Sequence, residues 1–189
     1  VSGPIPGIRL DRLVRHADPR GSLREVWRAS WYAGAGGAAI DPASAAVAGF
    51  AQANVSVSAP GVLRGLHLHR RQLDHWVVLD GRATVALVDV RPMLDGAARP
   101  VVDVLELEAD DRLVIPAGVA HGFLAQTPLT LLYLVTAEYD GSDELGFAWD
   151  DPVAGVPWPA APTPDGRPVL SDRDRAAPSL RSLVERLRG

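Results

Sequence analysis

The chain has 189 residues, no cysteine and no lysine, and 19 arginines against 23 acidic residues leave a net charge of −4. That length suits one domain, residues 1–189, with a core that needs no disulfide or structural metal. The missing thiols exclude disulfides, thiolate ligands and a cysteine nucleophile, and the acidic balance without a basic stripe argues against a nucleic-acid binder. No run reaches the ~20 apolar residues that span a bilayer. The opening VSGPIPGIRL lacks the basic-then-apolar pattern of a signal peptide, so a cytoplasmic location and no membrane partner are expected.

Ile8, Leu10 and Leu13 suggest a short first strand, and Asp18, Pro19 and Gly21 give residues 16–21 the chemistry of a turn. Residues 23–27 (LREVW) alternate apolar with charged and predict an edge strand. The Ala- and Gly-rich segment 31–48 is read as a loop. Residues 50–58 and 63–68 are strand-like, separated by a Pro60, Gly61 turn. Asp80 and Gly81 then split 76–90 into two strands and read as a hairpin. Residues 101–107 alternate well; RLVIP, 121–125 and 129–137 complete the strands. Only 179–188 looks helical, with Leu180, Leu183, Val184 and Leu187 at helical spacing behind Ser179 as a cap. Many short strands with Gly and Pro turns, and no alternation with helices, predict an all-β sandwich or barrel.

Two stretches carry the chemistry. In GVLRGLHLHRRQLDHWVVLDG, the positions Gly61, His67, His69, Asp74 and Gly81 are spaced as in the first general cupin motif. In IPAGVAHGF, Pro116, Gly118 and His121 resemble the second. The resemblance implies a cupin double-stranded β-helix (jelly roll) followed by a short C-terminal helix. His67 and His69 lie two apart on a strand and so share a face. If that face is interior, His121 can meet them, and His67, His69, Asp74 and His121 together would suit one divalent transition metal. The other reading has no metal: His67 is catalytic and His69 a local hydrogen-bonding residue.

From about His16 to Leu180 the chain resembles the dTDP-4-dehydrorhamnose 3,5-epimerase family. The matching segments are DPRGSLREVW, FAQANVSVS, GVLRGLH, VDVR, IPAGVAHGF, LLY, FAWDDPVAGVPWP and LSDRD. The resemblance implies epimerisation at C3, C5 or both of a dTDP-linked 4-keto-6-deoxyhexose, without a cofactor and as a homodimer. His67 matches the catalytic base, Asp174 the carboxylate that orients it, and Tyr133 the acid that returns a proton. Tyr133 also reads as a core residue, because Leu131, Leu132 and Leu134 surround it. Arg64 resembles the diphosphate-binding arginine, and Arg20 one that serves a nucleotide site, often across a dimer interface. Glu25, Gln52, Asn54 and His121 match substrate-site positions, and Tyr139 an aromatic near the nucleotide base.

One departure stands out. The family lysine that follows GLH and stabilises the negative C4 oxygen falls here at Asp74, whose carboxylate would repel that charge. His75, Arg70, Arg71 or a metal are candidate replacements, and His69 stands where a glutamine is more usual. The departure leaves two competing functions: a metal-dependent cupin acting on another small molecule, and a catalytically inactive sugar-nucleotide binding protein.

Overall fold

The computed structural model describes residues 3–32, 49–139 and 141–189. Two five-stranded antiparallel sheets face each other. The first runs, in spatial order, β1 (Arg9–Arg12), β9 (Asp111–Ile115), β6 (Asp74–Asp80), β11 (Leu129–Val135) and β4 (Gln52–Ser58). The second runs β12 (Leu145–Gly146), β5 (Leu63–Leu68), β10 (Val119–Ala125), β7 (Arg82–Asp89) and β8 (Val101–Glu108). A small hairpin, β2 (His16–Asp18) and β3 (Gly21–Leu23), stands apart from both. This is the double-stranded β-helix that the cupin resemblance implies, and it falls within the sandwich-or-barrel class that the strand-and-turn pattern predicts. Three short helices complete it: α1 (Arg91–Leu94), α2 (Asp172–Arg175) and α3 (Leu180–Arg188).

The period of two along each strand decides what lies inside. From β6, Trp76 and Val78 enter the space between the sheets, where they meet Val85 and Leu87 of β7 and Phe123 of β10. The alternate residues of β5 and β7, Leu66, Leu68, Ala86 and Val88, face the other way. There they pack under Leu180, Leu183 and Val184 of α3, so β7 is apolar on both faces while β5 turns His67 towards the space between the sheets. Each fully buried Leu or Val of that helix contributes roughly 1.5–3 kcal/mol. Ser179 caps α3 by accepting the Ser182 N–H.

The structure corrects two expectations about the strands, and α1 and α2 add two short helices where only 179–188 looked helical. Asp80 and Gly81 do not form a hairpin: β6 and β7 lie in opposite sheets, and Gly81, at φ 90°, turns a corner between them. A Cβ there would sit 2.0 Å from Pro128 O, so the tight approach, rather than strand pairing, accounts for the glycine. The strand expected over 23–27 ends at Leu23. Beyond it, side-chain bonds fix the chain, with Arg24 bonded to Asp110 and Leu79 O, and Arg28 to Glu25. Of the expected loop over 31–48, residues 33–48 lie outside the described residues, and Ala29–Trp31 forms a single 3-10 turn.

Candidate active site

A cavity of about 510 Å³ opens between the two sheets. β5 and β10 supply one wall and β4, β6 and β11 the other. Gly65 and Gly122 let β5 and β10 come close at this point: a Cβ on Gly65 would lie 2.6 Å from Gly122 Cα. The close approach coincides with a register shift between His121 and Phe123, beside the paired His67 and His121.

His67 points into the cavity, and its Nε2 lies 2.9 Å from Asp174 Oδ1. An acceptor there fixes Nε2 as the protonated nitrogen, leaving Nδ1 as the lone pair. No other protein partner holds the ring among the described residues. Asp174 is buried and doubly anchored, since Ser171 Oγ donates to its Oδ2 at 2.8 Å while its own N–H donates to Ser171 Oγ at 3.1 Å. The Ser171 hydroxyl thereby caps the N-terminus of α2. Burial pushes the Asp174 carboxyl up, but the hydrogen bonds from His67 and Ser171 outweigh it and hold it below the usual carboxylate range. Ser171 was not anticipated, although Ser-x-x-Asp ahead of a helix is a readable signal.

Tyr133 faces the same cavity from β11, in the sheet opposite His67. It packs against the apolar core and lines the cavity at once, so both readings of this residue describe it. Burial first, then the neighbouring Asp74, raise its pKa and keep the phenol protonated.

Arg64 stands at the exposed side of the cavity, where its Nε donates to Ser58 Oγ at 3.1 Å. No carboxylate pairs with it among the described residues. Arg173, which the sequence reading missed, is instead bonded to Glu144 at 2.5 Å. Gln52 and Asn54 project inward from β4 and bond each other at 2.8 Å, and Gln52 Oε1 accepts the Tyr139 N–H at 2.9 Å. The Tyr139 ring is 68% exposed at the rim.

Arg20 and Glu25 lie outside this cavity. Arg20 is exposed on the β2–β3 hairpin and bonded to Asp18; Glu25 is bonded to Arg28. Arg70 and Arg71 do not reach in either, because Asp143 binds both of their backbone N–H groups and draws their side chains to the surface.

His75 is likewise excluded as a lysine substitute. Its neighbours Asp74 and Trp76 point inward, so His75 takes the outer face of β6. There it is bonded to the Tyr32 hydroxyl and donates to Val26 O at 2.9 Å. Burial first, then Arg112, push its pKa down to about 4, so it is neutral at pH 7. Asp74 itself is buried in the cavity wall, accepting Gln72 Nε2–H at 2.7 Å and Trp76 Nε1–H at 3.2 Å. His69, Asp74 and His121 cluster with their ligand atoms within 4.8 Å of one another. His67 is not part of that cluster, which corrects the four-residue set, because Asp174 turns its ring away. Burial pushes His121 down to about 4 against the opposing pull of Asp74.

Comparison with known proteins identifies the family. The family model described as dTDP-4-dehydrorhamnose 3,5-epimerase matches residues 2–182. The Bacillus subtilis spore coat polysaccharide biosynthesis protein SpsL is 35% identical over 160 residues, covering 82% of this chain and 96% of that protein. A dTDP-4-dehydrorhamnose 3,5-epimerase of Sinorhizobium fredii is 33% identical over 184 residues, covering 95% and 88%. Among solved structures, the Mycobacterium tuberculosis rmlC epimerase superposes with a TM-score of 0.78 at 31% identity, over 98% of this chain and 90% of that one. With NovW, a 4-keto-6-deoxy sugar epimerase from Streptomyces spheroides, the TM-score is 0.80 at 28% identity, over 99% and 89%. The chain therefore belongs to the dTDP-4-dehydrorhamnose 3,5-epimerase family.

Proposed function

We propose that the protein epimerises a dTDP-linked 4-keto-6-deoxyhexose at C3, C5 or both. The observation that carries the reading is the placement of His67 and Tyr133 on opposite sheets of one cavity. Inversion at carbon needs a base on one face of the sugar and an acid on the other. The C4 ketone acidifies the neighbouring C–H bonds. His67 Nδ1 takes the proton, and the freed electron pair becomes the C=C bond of an enolate as the carbonyl pair moves to O4. Asp174 holds the His67 tautomer and stabilises the imidazolium. Tyr133 returns a proton to the opposite face. The oxidation state of the sugar is unchanged, so the reaction needs no redox cofactor.

Arg64, free of an internal carboxylate, is suited to the diphosphate, because a guanidinium forks onto two phosphate oxygens. Gln52, Asn54 and Tyr139 are placed for the sugar and nucleotide. Arg20 and Glu25 serve such a site only if a second subunit contributes them. A homodimer fits that need, and β4 offers it an edge whose Val55 and Val57 are 60% and 70% exposed. Light scattering on the eluting protein tests the dimer, and a monomer at micromolar concentration contradicts it.

The activity is tested by NMR in deuterated water with dTDP-4-keto-6-deoxyglucose. Deuterium should enter at the inverted carbons. Binding of dTDP with no exchange into any dTDP-4-keto sugar would instead make the chain a sugar-nucleotide binding protein.

A further inference from the structure

Around Asp74 the cavity wall is built of acceptors that face one another. His69 Nδ1 donates to Asp143 O at 2.9 Å, and His121 Nδ1 donates to Val119 O at 3.1 Å. A carbonyl cannot donate, so both rings carry a proton on Nδ1, and the neutral form of each presents Nε2 as a lone pair. Asp74 receives N–H donors on both oxygens, as an ionised carboxylate does. Its Oδ2 nevertheless lies 3.6 Å from His121 Nε2, too far for a hydrogen bond. Asp74 and His121 are 3% and 5% exposed. The two Nε2 atoms and the Asp74 carboxylate thus converge on one point of the cavity wall, with ligand atoms within 4.8 Å of one another, the arrangement in which a cation can join them.

We propose that His69, Asp74 and His121 bind one divalent first-row transition metal ion. Two imidazoles and a carboxylate are the donors such ions take, and three protein ligands leave positions open. The backbone carbonyls on both Nδ1 atoms are the outer contacts that orient ligating histidines. Ligand atoms about 2.1 Å from a common tetrahedral ion lie roughly 3.4 Å apart. Asp74 Oδ2 and His121 Nε2, at 3.6 Å, already stand near that spacing. His67 stays outside, bonded to Asp174, so the site does not consume the base. The site stands on this geometry alone, whereas its role rests on the epimerase reading. Held there, the ion supplies the positive charge that Asp74 cannot.

The test is cobalt(II) titration of the untagged full-length protein after chelator treatment, followed by visible absorption and calorimetry. One equivalent should bind with d–d bands. Affinity should fall by more than about a hundredfold in His69→Ala and Asp74→Asn, beyond the usual loss for an outer contact, and hold within about threefold in His67→Asn. Circular dichroism checks each fold. Should Asp74→Asn fail to fold, His69→Gln at the half-buried ligand carries the same prediction. Absence of stoichiometric binding overturns the site, as does loss of cobalt in His67→Asn with retention in His69→Ala. Full exchange by the chelated enzyme overturns the catalytic role alone. Cobalt binding without any deuterium exchange upholds the site and overturns the epimerase reading.

Discussion

His67 Nε2 and Asp174 Oδ1 meet at 2.9 Å across 107 residues of sequence, one on β5 of the barrel and the other on a single-turn helix near the C-terminus. Ser171, the N-cap of α2, makes the contact rigid, because its hydroxyl bonds both the Asp174 N–H and the carboxylate that receives the histidine.

Replacing Asp174 with Asn removes the charge that stabilises the imidazolium and loosens the tautomer. The turnover number should fall by about 10²–10⁴-fold, the scale of a positioned acid–base group, while dTDP affinity changes little. Ser171→Ala should cost about 1 kcal/mol of stability through the lost cap and lower turnover less than Asp174→Asn. Steady-state kinetics with thermal unfolding separate the two effects, and an Asp174→Asn turnover within about twofold of wild type contradicts the dyad.

Arg64→Ala should act on binding rather than chemistry. A hydrogen bond to a charged group contributes about 1.5–3 kcal/mol, so dTDP should bind about 10- to 100-fold more weakly. Calorimetry with dTDP reads this directly. An unchanged affinity would remove Arg64 from the diphosphate site.

His75 predicts a pH dependence of stability. Its folded pKa, near 4, lies below its ordinary value of 6.5, so the unfolded chain binds the proton more readily. Stability is full above about pH 6.5 and falls as pH drops towards 4, by roughly 3 kcal/mol from this residue. His121 acts in the same direction. Urea denaturation at several pH values should show a shallower acid slope in His75→Phe than in wild type, and equal slopes contradict the assignment.

The sequence made the barrel legible because short alternating strands and Gly or Pro turns leave few other folds. The inward faces of β5 and β6 follow from a period of two, which brings His67 with His69 and Asp74 with Trp76 to the cavity. The same period places His75 outside, a consequence that a register-independent reading of nearby basic residues overlooks. Asp80 and Gly81 carry genuine turn chemistry, but local turn chemistry does not specify which sheet the next strand joins. Asp174 is reachable from the sequence only through a family motif, since nothing local joins a late Asp to a strand histidine. The lone-pair geometry of His69 and His121 depends on the Asp143 and Val119 carbonyls, which no side-chain pattern reveals.

The most direct test of two-sided proton transfer follows deuterium and configuration together, by NMR in deuterated water, for His67→Asn and Tyr133→Phe. His67→Asn should show neither exchange nor inversion. Tyr133→Phe keeps the base, so it should still exchange the proton that His67 removes while inversion falls by at least about 10²-fold. Inversion at the wild-type rate in either variant contradicts the account.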